Sequence, residues 1–445
     1  MSTPHPDFPN EFYHDADLRL ARAIPEDSRD ILDIGCGEGR LGEFLKRMQV
    51  HRRITGIEKR RELASLAAAR LDAVLVNDIE RDTLPLEAES FDCIVADETL
   101  AHYADPQTVL KRLRPLLRPG GHLIAALPNQ QHWSRIDGLL RGEGLASHGE
   151  GRIHTTTDIT RRFLDAGYLP RFVDQRYMPA PVDWLAAMQA AIARQGLDPA
   201  RFAVRTQALQ YYIEARPIEG LFRGRDNGEI APVSVGVCTN NPVTLRENLL
   251  ASPCLQNGGH EIITVEGAAS AADGLNAVIA QAKHELVVLA HQDVYLPAWW
   301  INRLWQQYDK ARQITNDKVG VMGVWGILGT PGGIQCSGDV CDRDTLLDSV
   351  TPQPIQTGSL DELVLIVPKD TPLRFDPALG FHLYGTDICL LAENMGLQGI
   401  AINAPCHHNS KMGRELPAAF EQSKSIMRKK WAARLPIVTP CAFIA

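Results

Sequence analysis

A chain of 445 residues is too long for one compact core, so two or three domains are expected. Hydrophobic residues at 44% and charged residues at 22% are an ordinary globular composition. The net charge of -8 divides evenly, -4 in residues 1–230 and -4 in residues 231–445, so neither half reads as a nucleic-acid domain.

Nine cysteines without a C-x-x-C pair argue against a disulfide framework and for a reducing compartment. No signal peptide is visible, and no apolar run approaches the roughly 20 residues of a membrane span. A cytoplasmic location with no membrane span is the expectation. Lysine is scarce before residue 230, with Lys46, Lys59 and Lys111 alone, and matches arginine in number afterwards, which favours two modules of separate origin.

Residues 1–29 place Phe12, Tyr13, Leu18, Leu20 and Ile24 at roughly helical spacing. The stretch Asp30–Arg40, D-I-L-D-I-G-C-G-E-G-R, then supplies a short buried strand, a side-chain-poor turn at Gly35, Gly37 and Gly39, and a helix resuming at Leu41, Phe44 and Leu45. Glycine suits such a turn because a Cβ would keep a ligand from the backbone and disfavour positive φ. Ile54–Ile57 is the next strand, with Glu58 at its C-terminal end, where a carboxylate can accept both hydroxyls of a ribose. A dinucleotide fingerprint would need a glycine where Arg40 stands. The spacing predicts a helix over 61–71 and a strand over 73–76 ending in Asn77-Asp78-Ile79. It also predicts a strand over 91–96 ending at Asp97-Glu98, a helix over 110–117 and a strand over 122–127. Alternation of this kind predicts a parallel α/β sheet.

L-D-I-G-C-G-E-G, Glu58, N-D-I-E, S-F-D-C-I-V-A-D-E-T-L-A-H and L-R-P-G-G-H-L-I-A-A-L-P-N together resemble the class I S-adenosyl-L-methionine (SAM) methyltransferases over about residues 10–175. The resemblance implies Asp33, Gly35, Gly37 and Gly39 around the methionine part of SAM, and Glu58 on its ribose. It implies Asp78 and Ile79 at the adenine and Asp97 beside the cofactor, with Tyr13 a candidate to lie over it, also readable as packing. His132-Trp133 and G-R-I-H-T-T-T-D resemble the acceptor side. If the acceptor is a hydroxyl, a general base helps, and His102, His132 and His154 are three open choices, each also readable as an ordinary structural histidine.

Residues 176–229 lack strand patterning. Trp184–Ile192 and Gln207–Ile213 read as helices, a cap or linker ending in the turn-rich Gly224–Glu229. Pro232 opens a second β pattern. Strands are expected over 233–238, 261–265 and 285–290, the last followed by His291-Gln292-Asp293-Val294. No glycine loop follows the first of these strands, and phosphates held without one usually need a metal.

The opening strand, G-L-N-A-V-I-A-Q-A, H-Q-D-V, F-D-P-A-L-G-F-H-L-Y-G-T-D-I-C-L and C-H-H-N-S resemble family 2-type bacterial glycosyltransferases of the GT-A fold, over about residues 231–415. The resemblance implies a divalent metal, manganese or magnesium, on Asp293 with His407 or His408. It implies nucleotide-sugar contacts at Thr239, Glu266, Asn276 and Asp293, and Asp387 as the catalytic base. The pattern departs from that family in having one metal carboxylate instead of two. Asp387 is also readable as an N-cap, His407-His408 as surface histidines, and Trp299-Trp300 as either a sugar platform or core.

The expected fold is α/β, two doubly wound nucleotide-binding domains (a Rossmann-like methyltransferase domain, 1–175, and a GT-A domain, 230–445) joined by a helical segment. The expected partners are SAM, a nucleotide sugar and a saccharide or glycoconjugate acceptor, without nucleic acid. Two rivals stand beside this bifunctional transferase: an enzyme with one degenerate domain, and a non-enzymatic assembly module.

Overall fold

The computed structural model describes residues 17–143, 155–221, 231–256, 258–330, 333–349, 353–410 and 416–445. The chain divides into two compact units, Met1–Glu219 and Gly220–Ala445.

The first unit is built on seven strands: β1 (Asp30–Ile34), β2 (Arg53–Glu58), β3 (Ala73–Val76), β4 (Phe91–Asp97), β5 (Leu117–Pro128), β6 (Tyr168–Tyr177) and β7 (Ala208–Pro217). They lie side by side in the order β3-β2-β1-β4-β5-β7-β6. β1 to β5 run parallel, and β7 is antiparallel to both β5 and β6. Ile31, Leu32 and Ile34 are fully buried, as a strand covered on both faces requires. Period two sends Leu32 and Ile34 into one hydrophobic cluster and Ile31 into the other. The chain leaves β3 at one edge and re-enters the sheet at β4, on the far side of β1. That reversal opens a crevice above the C-terminal ends of β1 and β4, where such sheets place ligands.

One expectation is corrected here. Residues 176–219 are no strand-free spacer, because Ala208–Pro217 is a strand inserted between β5 and β6. Its Tyr211-Tyr212-Ile213 run is β-forming by composition and buried on both faces. Helices Val182–Arg194 and Pro199–Gln207 form the connection from β6 to β7. The compact units therefore meet at Glu219 and Gly220, earlier than residue 229. Gly224–Glu229 lies outside the described residues.

The second unit holds a mixed seven-stranded sheet. From edge to edge it runs Ile355–Gln356, Gln398–Ala401, Val319–Gly323, Val364–Pro368, Leu286–Ala290, Ser234–Thr239 and Glu261–Glu266. Val364–Pro368 is antiparallel to both of its neighbours. A smaller sheet joins Val294–Tyr295, Cys406–His408, Val340–Asp342 and Thr345–Leu347. Trp299 and Trp300 are buried, and the Trp300 Nε1–H donates to the Ala404 carbonyl at 2.9 Å; they are core, not a sugar platform. Among the described residues no helix is long and apolar enough to cross a membrane.

Candidate functional site

In the first unit the turn after β1 is held in left-handed backbone conformations, with φ of +70° at Gly35, +54° at Gly37 and +79° at Gly39. Side chains would be strained at all three. A Cβ on Gly35 would also stand 2.2 Å from Thr99 Cγ2, whereas one on Gly37 would meet no atom within 4 Å. The turn is thus packed from behind and open in front. Gly35 and Cys36 donate their N–H groups to the Ile57 carbonyl at 2.8 and 3.1 Å, which fastens the loop to β2.

Glu58, at the end of β2, is turned toward this loop. One carboxylate oxygen accepts from Gly37 N–H at 3.1 Å. The other accepts from Arg60 N–H at 2.9 Å and Arg60 Nε at 3.1 Å. Between them opens a cavity of about 280 Å³ whose walls include Gly35, Glu58, Asp78, Ile79 and His102. Five residues singled out in the sequence therefore share one pocket. Ile79 is a buried apolar wall, Asp78 accepts from Glu80 N–H at 3.1 Å, and His102 is exposed at the rim. Lys59, Arg60, Thr99 and Tyr103 also line it and were not foreseen. Burial, with Glu80, Asp78 and Glu58 nearby, pushes the Tyr103 hydroxyl well up.

Two carboxylates lie on β1 and at the end of β4. Asp33 is only 2% exposed and its Oδ2 has no hydrogen-bond partner. Burial, reinforced by Asp97 and Glu58, lifts its carboxyl to about 7. Asp97, at the end of β4, is exposed yet crowded by protein on its other sides; that crowding and Asp17 lift it to about 6. A cationic ligand would relieve this mutual repulsion. A pocket with a carboxylate, an apolar wall and a bare glycine turn, with further carboxylates on the adjoining strands, fits SAM, a nucleoside that carries positive charge.

His132 does not fit the role of base. It is buried, caps helix Trp133–Leu140 by accepting Ser134 N–H at 3.3 Å, and lies 2.8 Å from the Ser134 hydroxyl. Burial holds its imidazole down at about 4, and it does not line the cavity. Tyr13 and His154 lie outside the described residues.

In the second unit His291, Asp293 and His408 bring one ligand atom each to within 4.8 Å of one another. His408 Nε2 is 3.5 Å from Asp293 Oδ1, and its Nδ1 is 2.9 Å from Asp342 Oδ1. A carboxylate on the far nitrogen fixes the tautomer and aims Nε2, the arrangement that supports a histidine ligand. Two imidazoles and a carboxylate fit a divalent transition ion better than magnesium. Burial opposes charge on His408, but Asp293 and Asp342 prevail and hold the imidazolium up to about 10. Burial likewise disfavours the Asp293 carboxylate, yet His408 brings it down to about 2.

His407 is excluded from this group. Val294 pairs with His408 and Tyr295 with His407, and adjacent side chains on a strand face opposite ways. His407 is buried on the other face, and His291 takes its expected place.

Thr239 donates to Gln292 Oε1 at 2.6 Å, and Gln292 also accepts from Asn241 N–H at 3.1 Å. Gln292 thus laces two strand-end loops together. Glu266 is exposed at the end of its strand. Asn276 is committed elsewhere, donating to the Phe375 carbonyl at 2.8 Å and accepting Phe375 N–H at 2.9 Å.

Asp387 is also corrected. Only 1% exposed, it neither caps its helix nor joins the histidine cluster. Lys430 Nζ lies 2.8 Å from its Oδ1, and Trp431 Nε1 donates to that oxygen at 2.8 Å. A carboxylate so enclosed is not presented to an acceptor.

Residues 32–125 match the family described as "Methyltransferase domain". The ubiquinone biosynthesis O-methyltransferase of Aeromonas salmonicida is 31% identical over 155 residues, 32% of this chain and 63% of that protein. Its human mitochondrial counterpart is 35% identical over 133 residues, 28% of this chain and 36% of that protein. An uncharacterized 37.1 kDa protein in transposon TN4556 of Streptomyces fradiae is 41% identical over 102 residues, 22% of this chain and 30% of that protein. The chain thus spans less than two thirds of the length of these relatives. Among solved structures, a SAM-dependent methyltransferase of Thermotoga maritima, a possible histamine N-methyltransferase, aligns at TM-score 0.33 and 20% identity, over 45% of this chain and 86% of that one. The plantazolicin methyltransferase BpumL with SAH (the demethylated product of SAM) aligns at TM-score 0.30 and 16% identity, over 45% and 80%.

The first unit contains a class I SAM-dependent methyltransferase domain.

Proposed function

We propose that the first unit transfers the methyl group of SAM to an oxygen of a saccharide or related small molecule. The observation that carries this reading is Glu58 hydrogen-bonded to the glycine turn at the mouth of the 280 Å³ cavity. The O-methyltransferase relatives support an oxygen as the accepting atom. Holding the nucleophile in line with the methyl carbon supplies most of the acceleration, because the sulfonium is already a good leaving group. Calorimetric titration of the full chain with SAM and SAH tests this; absence of binding for both rejects it.

For the second unit the proposal is glycosyl transfer from a nucleotide sugar, with a divalent cation on His291, Asp293 and His408. The cation would neutralise a diphosphate leaving group when bound. A second reading rests on Asp387: its enclosure by Lys430 and Trp431 favours a degenerate module that holds a cation without transferring sugar. Uridine and guanosine diphosphate sugars, offered with and without manganese, separate the two readings by whether the sugar is released.

A further inference from the structure

Glu58 is nearly enclosed, its side chain only 4% exposed, and among the described residues N–H groups already reach both of its oxygens. Gly37 N–H takes one lone-pair site on Oε2, at 3.1 Å. On Oε1 the Arg60 N–H at 2.9 Å and the Arg60 Nε–H at 3.1 Å take two. An ionised carboxylate offers about four such sites, roughly two on each oxygen. A ribose that lays both vicinal hydroxyls across the carboxylate needs a site on each oxygen. Oε2 has one to give, and Oε1 has none. One Arg60 donor must therefore leave before the ribose can be held in that way. The two donors differ in freedom. The Arg60 peptide is fixed as the N-cap of helix Arg61–Ala67, its carbonyl accepting from Ala64 N–H at 3.0 Å, so its N–H stays where the helix start puts it. The guanidinium sits on a side chain 56% exposed, and an ion pair at that exposure is weak. Arg60 and Glu58 both line the 280 Å³ cavity, so the contest takes place in the space the ligand enters.

We propose that the Arg60 side chain sets the affinity of the donor site by competing with the ribose for Glu58, holding the carboxylate until the two hydroxyls take its place. The inference rests on reading the cavity as the SAM site. SAM and SAH carry the same ribose, so the competition weakens both by the same factor. It works against retention of the product as much as against capture of the donor, because the returning guanidinium helps to expel SAH. Simple repulsion between the guanidinium and the sulfonium would weaken SAM alone. A nucleoside with a single hydroxyl in place of the vicinal pair is served by the open site on Oε2 and leaves Arg60 where it is.

The experiment is calorimetric titration of the full chain, wild type and Arg60→Ala, with SAM, SAH, adenosine and 2′-deoxyadenosine. Arg60→Ala keeps the backbone N–H on Glu58 and removes only the guanidinium. It is expected to tighten SAM, SAH and adenosine alike, by about 2- to 5-fold, and to leave 2′-deoxyadenosine unchanged. Because the ion pair is exposed, raising salt from about 0.05 M to about 0.5 M is expected to bring the wild-type affinity for SAH up toward that of the variant. Tightening of SAM alone, equal tightening of adenosine and 2′-deoxyadenosine, unchanged affinities or weaker binding overturns the proposal. A gap for SAH that salt does not narrow overturns it too. Wild-type protein that binds neither SAM nor SAH rejects the donor-site reading itself, and the proposal with it.

Discussion

The two units build their sites from different materials. In the first, the backbone makes the pocket: three glycines at positive φ, two N–H groups tied to Ile57, and a single carboxylate holding the loop. In the second, His291, Asp293 and His408 arrive from two segments more than a hundred residues apart, and their proximity depends on one antiparallel register. A backbone site leaves a compact signature in sequence. A side-chain site of this kind does not.

Gly35→Ala should break the contrast most severely on the first side. Its Cβ would collide with Thr99 at a backbone angle that already disfavours it, so SAM affinity should fall by about 100-fold or more by calorimetry. Undiminished affinity would mean that the turn does not shape the pocket.

On the second side, His408→Ala should abolish the rise in melting temperature on adding manganese, which for a saturated site is about 3–4 kcal/mol of linkage. His407→Ala should lower the melting temperature of the metal-free protein yet keep the manganese increment. The opposite pattern would reverse the assignment of the two histidines.

Asp387→Ala should leave Lys430 facing a partly buried void and destabilise the second unit by about 3 kcal/mol in denaturant unfolding. A stable variant that has lost only sugar transfer would restore Asp387 as a base.

The smallest effect sharpens the electrostatic side of the comparison. The folded-state carboxyl of Asp33, about 7, lies above its ordinary value of 3.8, so folding favours the protonated form and stability declines as pH rises from 3.8 through 7. Asp33→Asn should therefore raise stability at pH 8, by about 2 kcal/mol, and change little at pH 4. A stabilisation of equal size at both pH values would contradict the buried, charge-crowded account of Asp33.

These differences also explain what could be read in advance. Asp30–Gly39 and Glu58 were legible because strand, turn and ribose carboxylate follow one another in order. β7 was not: Gln207–Ile213 admits a helical spacing, and only packing between β5 and β6 selects the strand. Asp387 was misjudged because its partners, Lys430 and Trp431, lie 43 and 44 residues downstream. His291 was missed because a turn, closed by Val294 N–H on the His291 carbonyl at 3.2 Å, brings it beside Asp293, and no spacing rule announces that.

The central claim is tested most directly by the heat of SAM binding to the full chain and to Glu58→Ala. One SAM per chain in the wild type, with affinity lost by about 10- to 100-fold in the variant, is the predicted result. Equal affinity in the two proteins would contradict a donor pocket closed by Glu58 on the glycine turn.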